Sequence, residues 1–512
     1  MVSAMSETSS LWIATAGETD YPALEGDARF DVAVLGGGII GLTTALLLKR
    51  AGRRVAVIEA DRVARGVTAR TTAKISSLHG LVYKDVQSSF GEEGARVYGE
   101  ANQAGLEWMA AYVADEKIEC DFRRRDNYTY TESPDEVGQI EQEVDAAAKA
   151  GLPAAFVEDV PLPFPVAAAV RFSEQAEFHP RKYLLAMAMQ IPGDGCEIYE
   201  RTRALDVKGG SPSEVETSHG TVRADDVIVA THFPFLDRGL FFARQHPERS
   251  YAIAMTQSGE PPNGMFLSTE SPAHSIRSHP VSGGELLIVG GESHKTGQGG
   301  NHSARYRRLE AYARERFGVG SVEHRWSTQD NMPVDGVPYI GKLTPVSGRI
   351  QVATGMKKWG LAQGTAAAMI LSDAVLGRRN PWSELYSPSR MKPLASVTEL
   401  VKENANVSKR FVGDRFRKPD ADELSDIAHG EGRVVTVGGE KVAAYRDEHG
   451  AVHAVSPVCT HLFCLVDWND AERSWDCPCH GSRFDVDGKV LQGPAVKDLE
   501  PKVLTVEPDV AR

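Results

Sequence analysis

The chain has 512 residues, 42% hydrophobic, 25% charged and 7% aromatic, a globular composition with length for about three domains of about 150 residues each. Lys and Arg number 57 against 70 Asp and Glu, giving a formal net charge of -13 and a pI near 5.7. That balance repels phosphate backbones and anionic lipid, so no nucleic-acid partner is expected.

The first 30 residues carry Glu7, Glu18, Asp20, Glu25 and Asp27 without a basic-then-apolar pattern, so no signal peptide and a cytoplasmic location are expected. The longest apolar stretch, residues 32–48, is interrupted by Gly36, Gly37, Gly38 and Gly41, which predicts no membrane span. Residues 31–60, DVAVLGGGIIGLTTALLLKRAGRRVAVIEA, read as a strand, a glycine turn, a helix stopped at Gly52 and a second strand over 54–59. DDVIVATHFPF from Asp225 predicts another buried strand. Runs such as GELLIVGGE (284–292) suit an inserted antiparallel domain, and the segment from Gly348 reads as strand, glycine-bearing loop and Ala-rich helix. RRNPWSELYSPSRMKP after Gly377 closes a domain. Residues 402–418 hold Lys402, Lys409, Arg410, Arg415, Arg417 and Lys418 against two acids, and residues 420–512 hold 18 acidic and nine basic residues. The sign change marks a linker before an acidic all-β domain of short strands. The basic run is either a solvated stretch or a surface on which the acidic domain docks.

Gly36-Gly37-Gly38-Ile39-Ile40-Gly41 satisfies G-x-G-x-x-G between a predicted strand and helix. The first glycine makes the tight turn, Gly38 lets a pyrophosphate approach the backbone, Ile40 and Gly41 open the helix, and Gly41 allows close helix–strand packing. Glu59, eighteen residues after Gly41, is placed to accept hydrogen bonds from a ribose. These features predict a dinucleotide site without separating NAD from FAD.

The segments SLWIATAG (from Ser10), RGVTARTTAKISSLHG (from Arg65), QAEFHPRKYLLAMA (from Gln175), VIVAT, WSTQDNMPVDGVPYIGK (from Trp326) and TGMKKWGLAQGT (from Thr354) resemble the D-amino-acid oxidase family of flavoproteins over about residues 10–390. The resemblance implies FAD, with Thr71 and Thr72 of the first loop and Gly355, Met356, Trp359 and Gly360 of the closing loop lining it. It also implies Lys357 or Lys358 as a cation stabilising the reduced flavin; the alternative is a surface lysine pair flanking a buried Trp359. With Arg70 and Arg325, these lysines form the candidate catalytic set, and His79 and His179 are further candidate substrate contacts. Met356 to Gly360 lacks Cys and Thr68 to Lys74 lacks His, so FAD bound without a covalent link is expected. Cys120 and Cys196 read as small core residues.

VCTHLFC (458–464) and DCPCHGSRFD (476–485) give C-x-H, then C-x-x-H with fifteen residues between. Two thiolates can hold one iron and two imidazoles another, whereas zinc modules normally show C-x2-4-C and H-x3-5-H knuckles. The motif resembles Rieske 2Fe-2S domains of the cytochrome bc1 type, over about residues 421–512. The resemblance implies Cys459 and Cys477 on one iron, His461 and His480 on the other, and a Cys464–Cys479 disulfide, with two free thiols as the alternative. Phe463 stands where the family has Gly, and Phe484 where high-potential members have Tyr. Ser482 is retained as a donor. Fewer donors imply a potential below those members, inside the roughly -150 to +300 mV Rieske range. The 32 residues after His480 are too few for the catalytic domain of Rieske oxygenases, so that class is not expected.

The expected architecture is an α/β Rossmann-like FAD-binding domain with an inserted antiparallel-sheet α+β substrate domain, plus a C-terminal all-β Rieske domain. The boundaries are 1–394 (FAD-binding parts about 28–110, 200–240 and 335–380), a linker over 395–420, and 421–512. The expected function is oxidation of an amine or amino acid at C–N, with electrons leaving through the cluster to an unidentified acceptor. The alternative is an electron-transfer protein reduced by a partner.

Overall fold

The computed structural model describes residues 9–390, 404–407, 420 and 424–504; the basic run at 402–418 and most of the expected linker lie outside them. Two compact units emerge. The first takes in the chain through Gln245, Arg249–Ser293 and the part from Arg305; the second takes in the C-terminal part with residues 246–248 and 294–304.

In the first unit, strands Ile350–Thr354, Gly220–Val229, Ala28–Leu35, Val55–Ile58 and Glu197–Tyr199 lie side by side and parallel, with Tyr339–Lys342 antiparallel at one edge. Strand alternation sorts their apolar residues into two cores. Val32, Val34, Val55 and Val57 face one side with Leu42 and Leu46 of helix Ile39–Arg50, and Ala33, Leu35, Ala56 and Ile58 face the other. A sheet buried on both faces explains why VAVL and VAVI read as unbroken apolar runs. Helix Ala362–Val375, eleven of whose residues are buried, packs in the same core.

The second sheet of this unit has nine strands, including Lys74–Ile75, Arg123–Thr131, Ala168–Glu177, Ser275–Val281 and Gly284–Lys295. It is the inserted sheet expected from the alternating runs. One pairing departs from the antiparallel pattern: Met265–Ser268 runs parallel to Arg123–Thr131. The chain reaches Met265 from a different part of the sheet rather than through a hairpin, so no tight turn dictates direction.

The second unit carries two small antiparallel sheets, Gly432–Val437 with Glu440–Arg446 and Val452–Val455, and Asp467–Asn469 with Ser474–Asp476, Arg483–Phe484 and Val490–Gln492. Trp475, Phe484, Val490 and Leu499 form its core together with Cys459, Cys464, Cys477 and Cys479.

Candidate functional sites

The glycine loop joins strand Ala28–Leu35 to helix Ile39–Arg50. Gly36 has φ +110°, and a Cβ on Gly41 would fall 1.8 Å from the Gly36 carbonyl oxygen. The helix therefore starts against the strand end, with Gly38 supplying no side-chain cap and the Ile39 amide donating to Thr68 Oγ1 at 3.3 Å, so that its first turn faces the space over the loop. Glu59, at the end of the second strand, accepts from Gly37 N at 2.7 Å and Asp61 N at 2.9 Å. Burial raises its pKa against these two donors. A carboxylate that holds the loop and retains lone pairs, beside a helix N-terminus opened by glycines, fits the adenosine and pyrophosphate of a dinucleotide.

The loop after Glu59 is held by a row of donors from remote parts of the chain. Ser10 Oγ bonds Ala69 O, Trp326 Nε1 bonds Arg70 O at 2.9 Å, Trp12 Nε1 bonds Thr71 O at 2.7 Å, and Arg277 Nη1 bonds Thr72 O at 3.3 Å and Ala73 O at 2.6 Å. Five successive carbonyls are thus fixed. Ala73 is left in the left-handed region at φ +64°.

Lys74 follows on an edge strand, 7% exposed, with Nζ donating to Phe266 O at 2.9 Å and lying 5.6 Å from the Trp359 ring centre. Trp359 belongs to the closing loop, where Gly355, Lys357 and Lys358 all have positive φ. Strain at such positions persists only where surroundings over-determine it, and it concentrates at functional sites. Beyond Trp359, the first turn of helix Ala362–Val375 lies against the first turn of Ile39–Arg50, with Gly364 beside Ile39 and Ile40. Two helix N-termini therefore converge on one region.

Lys74 brings the end of the loop that carries Arg70, Thr71 and Thr72 to Trp359, and so to the closing loop that carries Gly355, Met356 and Gly360. His79 joins them, its ring stacked on Trp359 at 4.7 Å. One His79 nitrogen meets Tyr98 Oη and Gln363 Nε2, and the other meets Ser76 O. Burial lowers its pKa to about 3, so it is neutral. Lys358 Nζ donates to Ser293 Oγ at 2.8 Å.

His179 and Arg325 are not brought to the group. His179 caps helix Pro180–Met189 by accepting from Lys182 N, and burial lowers its pKa to about 4. Arg325 pairs with Glu310 at 3.1 Å. Its neighbour Trp326, on the other face of the strand, is the residue that reaches the loop.

Lys74, Ser10, Trp12, Arg277 and Trp326 were not singled out by sequence reasoning. The available signal for Lys74 was a cation within a short strand-like run of small and apolar residues. The others act across separations set only by the folded chain.

In the second unit, Cys459 and Cys477 are buried free thiols, while Cys464 and Cys479 form a disulfide. Cys464, Cys477 and Cys479 place their sulfurs within 4.8 Å of one another, but the disulfide sulfurs are spent, so only Cys477 of that trio offers a thiolate. The Cys459–Cys477 hydrogen bond lowers the pKa of Cys459 and raises that of Cys477, with burial adding to the latter. His461 and His480 face each other edge to face, 5.1 Å between ring centres. Burial first, then His461, lowers the His480 pKa to about 3, which keeps it in the neutral form that ligates metal.

Two buried thiols, a buried imidazole and a half-buried one fit a 2Fe-2S cluster of mixed ligation. Ser482 Oγ accepts from Ala495 N at 3.0 Å and also hydrogen-bonds with Cys459. Phe463 holds φ +59° with a 59% exposed side chain, so the loop keeps a backbone suited to glycine with a phenylalanine at its tip.

The same unit takes in residues 294–304. Gly297, at φ +65°, lies against the Cys-Pro-Cys turn: a Cβ there would sit 2.7 Å from Pro478 N and 2.9 Å from Asp476 O. Asp470 accepts from His302 N at 2.6 Å and Ser303 N at 3.1 Å.

A model of FAD-dependent oxidoreductases, the D-amino-acid oxidase type, matches residues 31–374, and a Rieske [2Fe-2S] domain model matches residues 418–504. The chain belongs to the FAD-dependent oxidoreductase family. It binds FAD in the first unit and carries a C-terminal Rieske domain with a 2Fe-2S cluster. A protein named as a Rieske 2Fe-2S iron-sulfur protein, YhfW of Bacillus subtilis (strain 168), is 40% identical over 491 residues, covering 96% of each chain. Glycine oxidase from Geobacillus kaustophilus superposes with a TM-score of 0.59 at 18% identity, over 71% of this chain and 99% of the other. L-proline dehydrogenase from P. horikoshii gives 0.57 at 18% identity, over 72% and 98%. These likenesses extend the amino-acid-oxidase fold over the first unit. No helix among the described residues is long and apolar enough to cross a membrane.

Proposed function

We propose that this FAD-dependent oxidoreductase oxidises an amine or amino acid at its C–N bond and passes the electrons singly through the 2Fe-2S cluster to an acceptor. The observation that carries the reading is the pairing, in one chain, of a flavin fold with a two-thiol, two-imidazole set. A flavin takes up two electrons together and releases them one at a time, which a one-electron cluster can use. Glycine oxidase and L-proline dehydrogenase, whose fold the first unit shares, bear names that specify amino acid donors, and this supports the donor class.

The residues then take these parts. Gly36 to Gly41 and the N-terminus of helix Ile39–Arg50 receive the pyrophosphate, and Glu59 the ribose. The carbonyl-clamped loop 69–73 and the closing loop 355–360 enclose the flavin ring, which is bound without a covalent link. Cys459 and Cys477 hold one iron, His461 and His480 the other. The acceptor is approached through the cluster, so the enzyme acts as a dehydrogenase.

Anaerobic mixing of the holoenzyme with glycine, sarcosine, L-proline and L-phenylalanine, following flavin absorbance and the cluster's EPR signal, tests this. Flavin reduction followed by cluster reduction is expected. A flavin that bleaches while the cluster stays oxidised would refute the relay.

A further inference from the structure

We propose that Lys74 is the catalytic base that takes the proton from the substrate's ammonium group beside the flavin. This role rests on the amine reading above. Lys74 sits on the edge strand Lys74–Ile75, directly opposite Glu177 in the antiparallel pairing, next to Ala73 of the clamped loop. The Ala73 backbone is over-determined: Arg277 Nη1 holds its carbonyl at 2.6 Å, and its N–H donates to Thr71 Oγ1 at 3.1 Å. The lysine stem therefore leaves a backbone that cannot drift. Its ammonium end is fixed by Phe266 O on one side and by the closing-loop Trp359 on the other.

The charges around Lys74 include Arg277 and Glu177 and, beyond them, Arg123, Arg125 and Glu285, with Lys357 of the closing loop acting on His79 on the far side of Trp359. Glu177 is committed to guanidinium groups, 2.6 Å from Arg123 Nη2 and 3.2 Å from Arg277 Nε. Glu285 is likewise held by Arg123 at 2.8 Å. Among the described residues Lys74 makes no ion pair. Burial, with Arg277 adding to it and Glu177 opposing, lowers its pKa to about 7. Close to neutral pH a substantial share of Lys74 is a free amine with an available lone pair. His79, the other base near Trp359, has both ring nitrogens engaged and is too weakly basic to compete.

The step balances as follows. The substrate enters as an ammonium and gives one proton to the neutral Lys74 amine. The substrate nitrogen then has a lone pair. As the C=N bond forms, the Cα–H bond breaks and its hydrogen leaves with the electron pair to the oxidised flavin. Substrate is oxidised by two electrons, and the new Lys74 ammonium stands where the flavin gains negative charge.

The test uses holoenzyme carrying Lys74, Lys74→Met or Lys74→Arg. Without amine, the visible spectrum of bound flavin is titrated from pH 6 to 10. With sarcosine and L-proline, anaerobic flavin reduction is timed over the same range. The wild-type spectrum is expected to titrate near pH 7 and both variants to lack that transition at full FAD content. Reduction at pH 7.5 should fall about 100-fold in each variant, with the deficit shrinking towards pH 10 as the substrate amine deprotonates in solution. Lys74→Arg keeps the buried cation if Lys74→Met does not fold. FAD-loaded variants with the wild-type rate and pH profile would overturn the base role alone. A wild type reduced by neither amine, yet still titrating near pH 7 through Lys74, would overturn the amine reading and the base role with it.

Discussion

Lys74→Met also changes stability in a way that needs no substrate. A lysine in the unfolded chain titrates near ~10.4, and in the fold Lys74 titrates near about 7. Between these values the unfolded state binds the extra proton, so stability rises with pH across the window. Below about pH 7 both states are protonated and the whole penalty for burying the charge is present; above ~10.4 it is gone. The span corresponds to about 5 kcal/mol, at about 1.4 kcal/mol per pH unit. Methionine carries no such dependence. The pH-independent cost of leaving Phe266 O without its donor, about 1 kcal/mol, shifts the Met curve without tilting it. Urea unfolding of the FAD-binding unit, followed by tryptophan fluorescence from pH 7 to 10, should show wild type gaining on Lys74→Met by about 1 kcal/mol for each pH unit. Visible absorbance of the cluster separates the transition of the iron-sulfur unit, as a chain of two units requires. Parallel curves for the two proteins would refute the reasoning, because they would mean that the buried amine is charged throughout.

Three other substitutions probe the sites. Gly297→Ala places a methyl 2.7 Å from Pro478 N in a left-handed backbone, so a loss of about 2–4 kcal/mol is expected in the unfolding of the iron-sulfur unit, with a perturbed cluster EPR signal and normal FAD content. Phe463→Gly relieves a side chain held at φ +59° and should raise the stability of that unit by up to about 1 kcal/mol in denaturant titration. Glu59→Gln removes the carboxylate that accepts from Gly37 and Asp61. It should weaken FAD binding about tenfold, equivalent to about 1.4 kcal/mol, measured by recovery of flavin fluorescence on dilution.

Local chemistry explains what could be read from the chain without coordinates. Residues 31–60 carry their own periodicity and turn chemistry, so strand, glycine loop and helix were legible together. The Cys and His spacing of 459–480 is likewise a local property, and the cluster donors and the Cys464–Cys479 pair could be named from it through the Rieske resemblance. Lys74 escaped because a lysine in a short strand reads as an exposed edge residue; its burial comes from Phe266 and Trp359, which lie 192 and 285 positions away. Gly297 escaped for a related reason. Its need for glycine arises from Pro478, far along the chain. Arg325 was named from its segment's resemblance, which does not say on which side of the strand a residue lies. The alternation of the strand decides which of Arg325 and Trp326 meets the loop.

The five clamped carbonyls of residues 69–73 impose an order on biosynthesis. Their donors come from Ser10 and Trp12 at one end and from Arg277 and Trp326 much later, so a nascent chain emerging from the ribosome completes its glycine turn long before all five carbonyls can be held. Fixing of this loop is then a late event, gated by arrival of the distal sheet, and it is complete only once Trp326 has found its place.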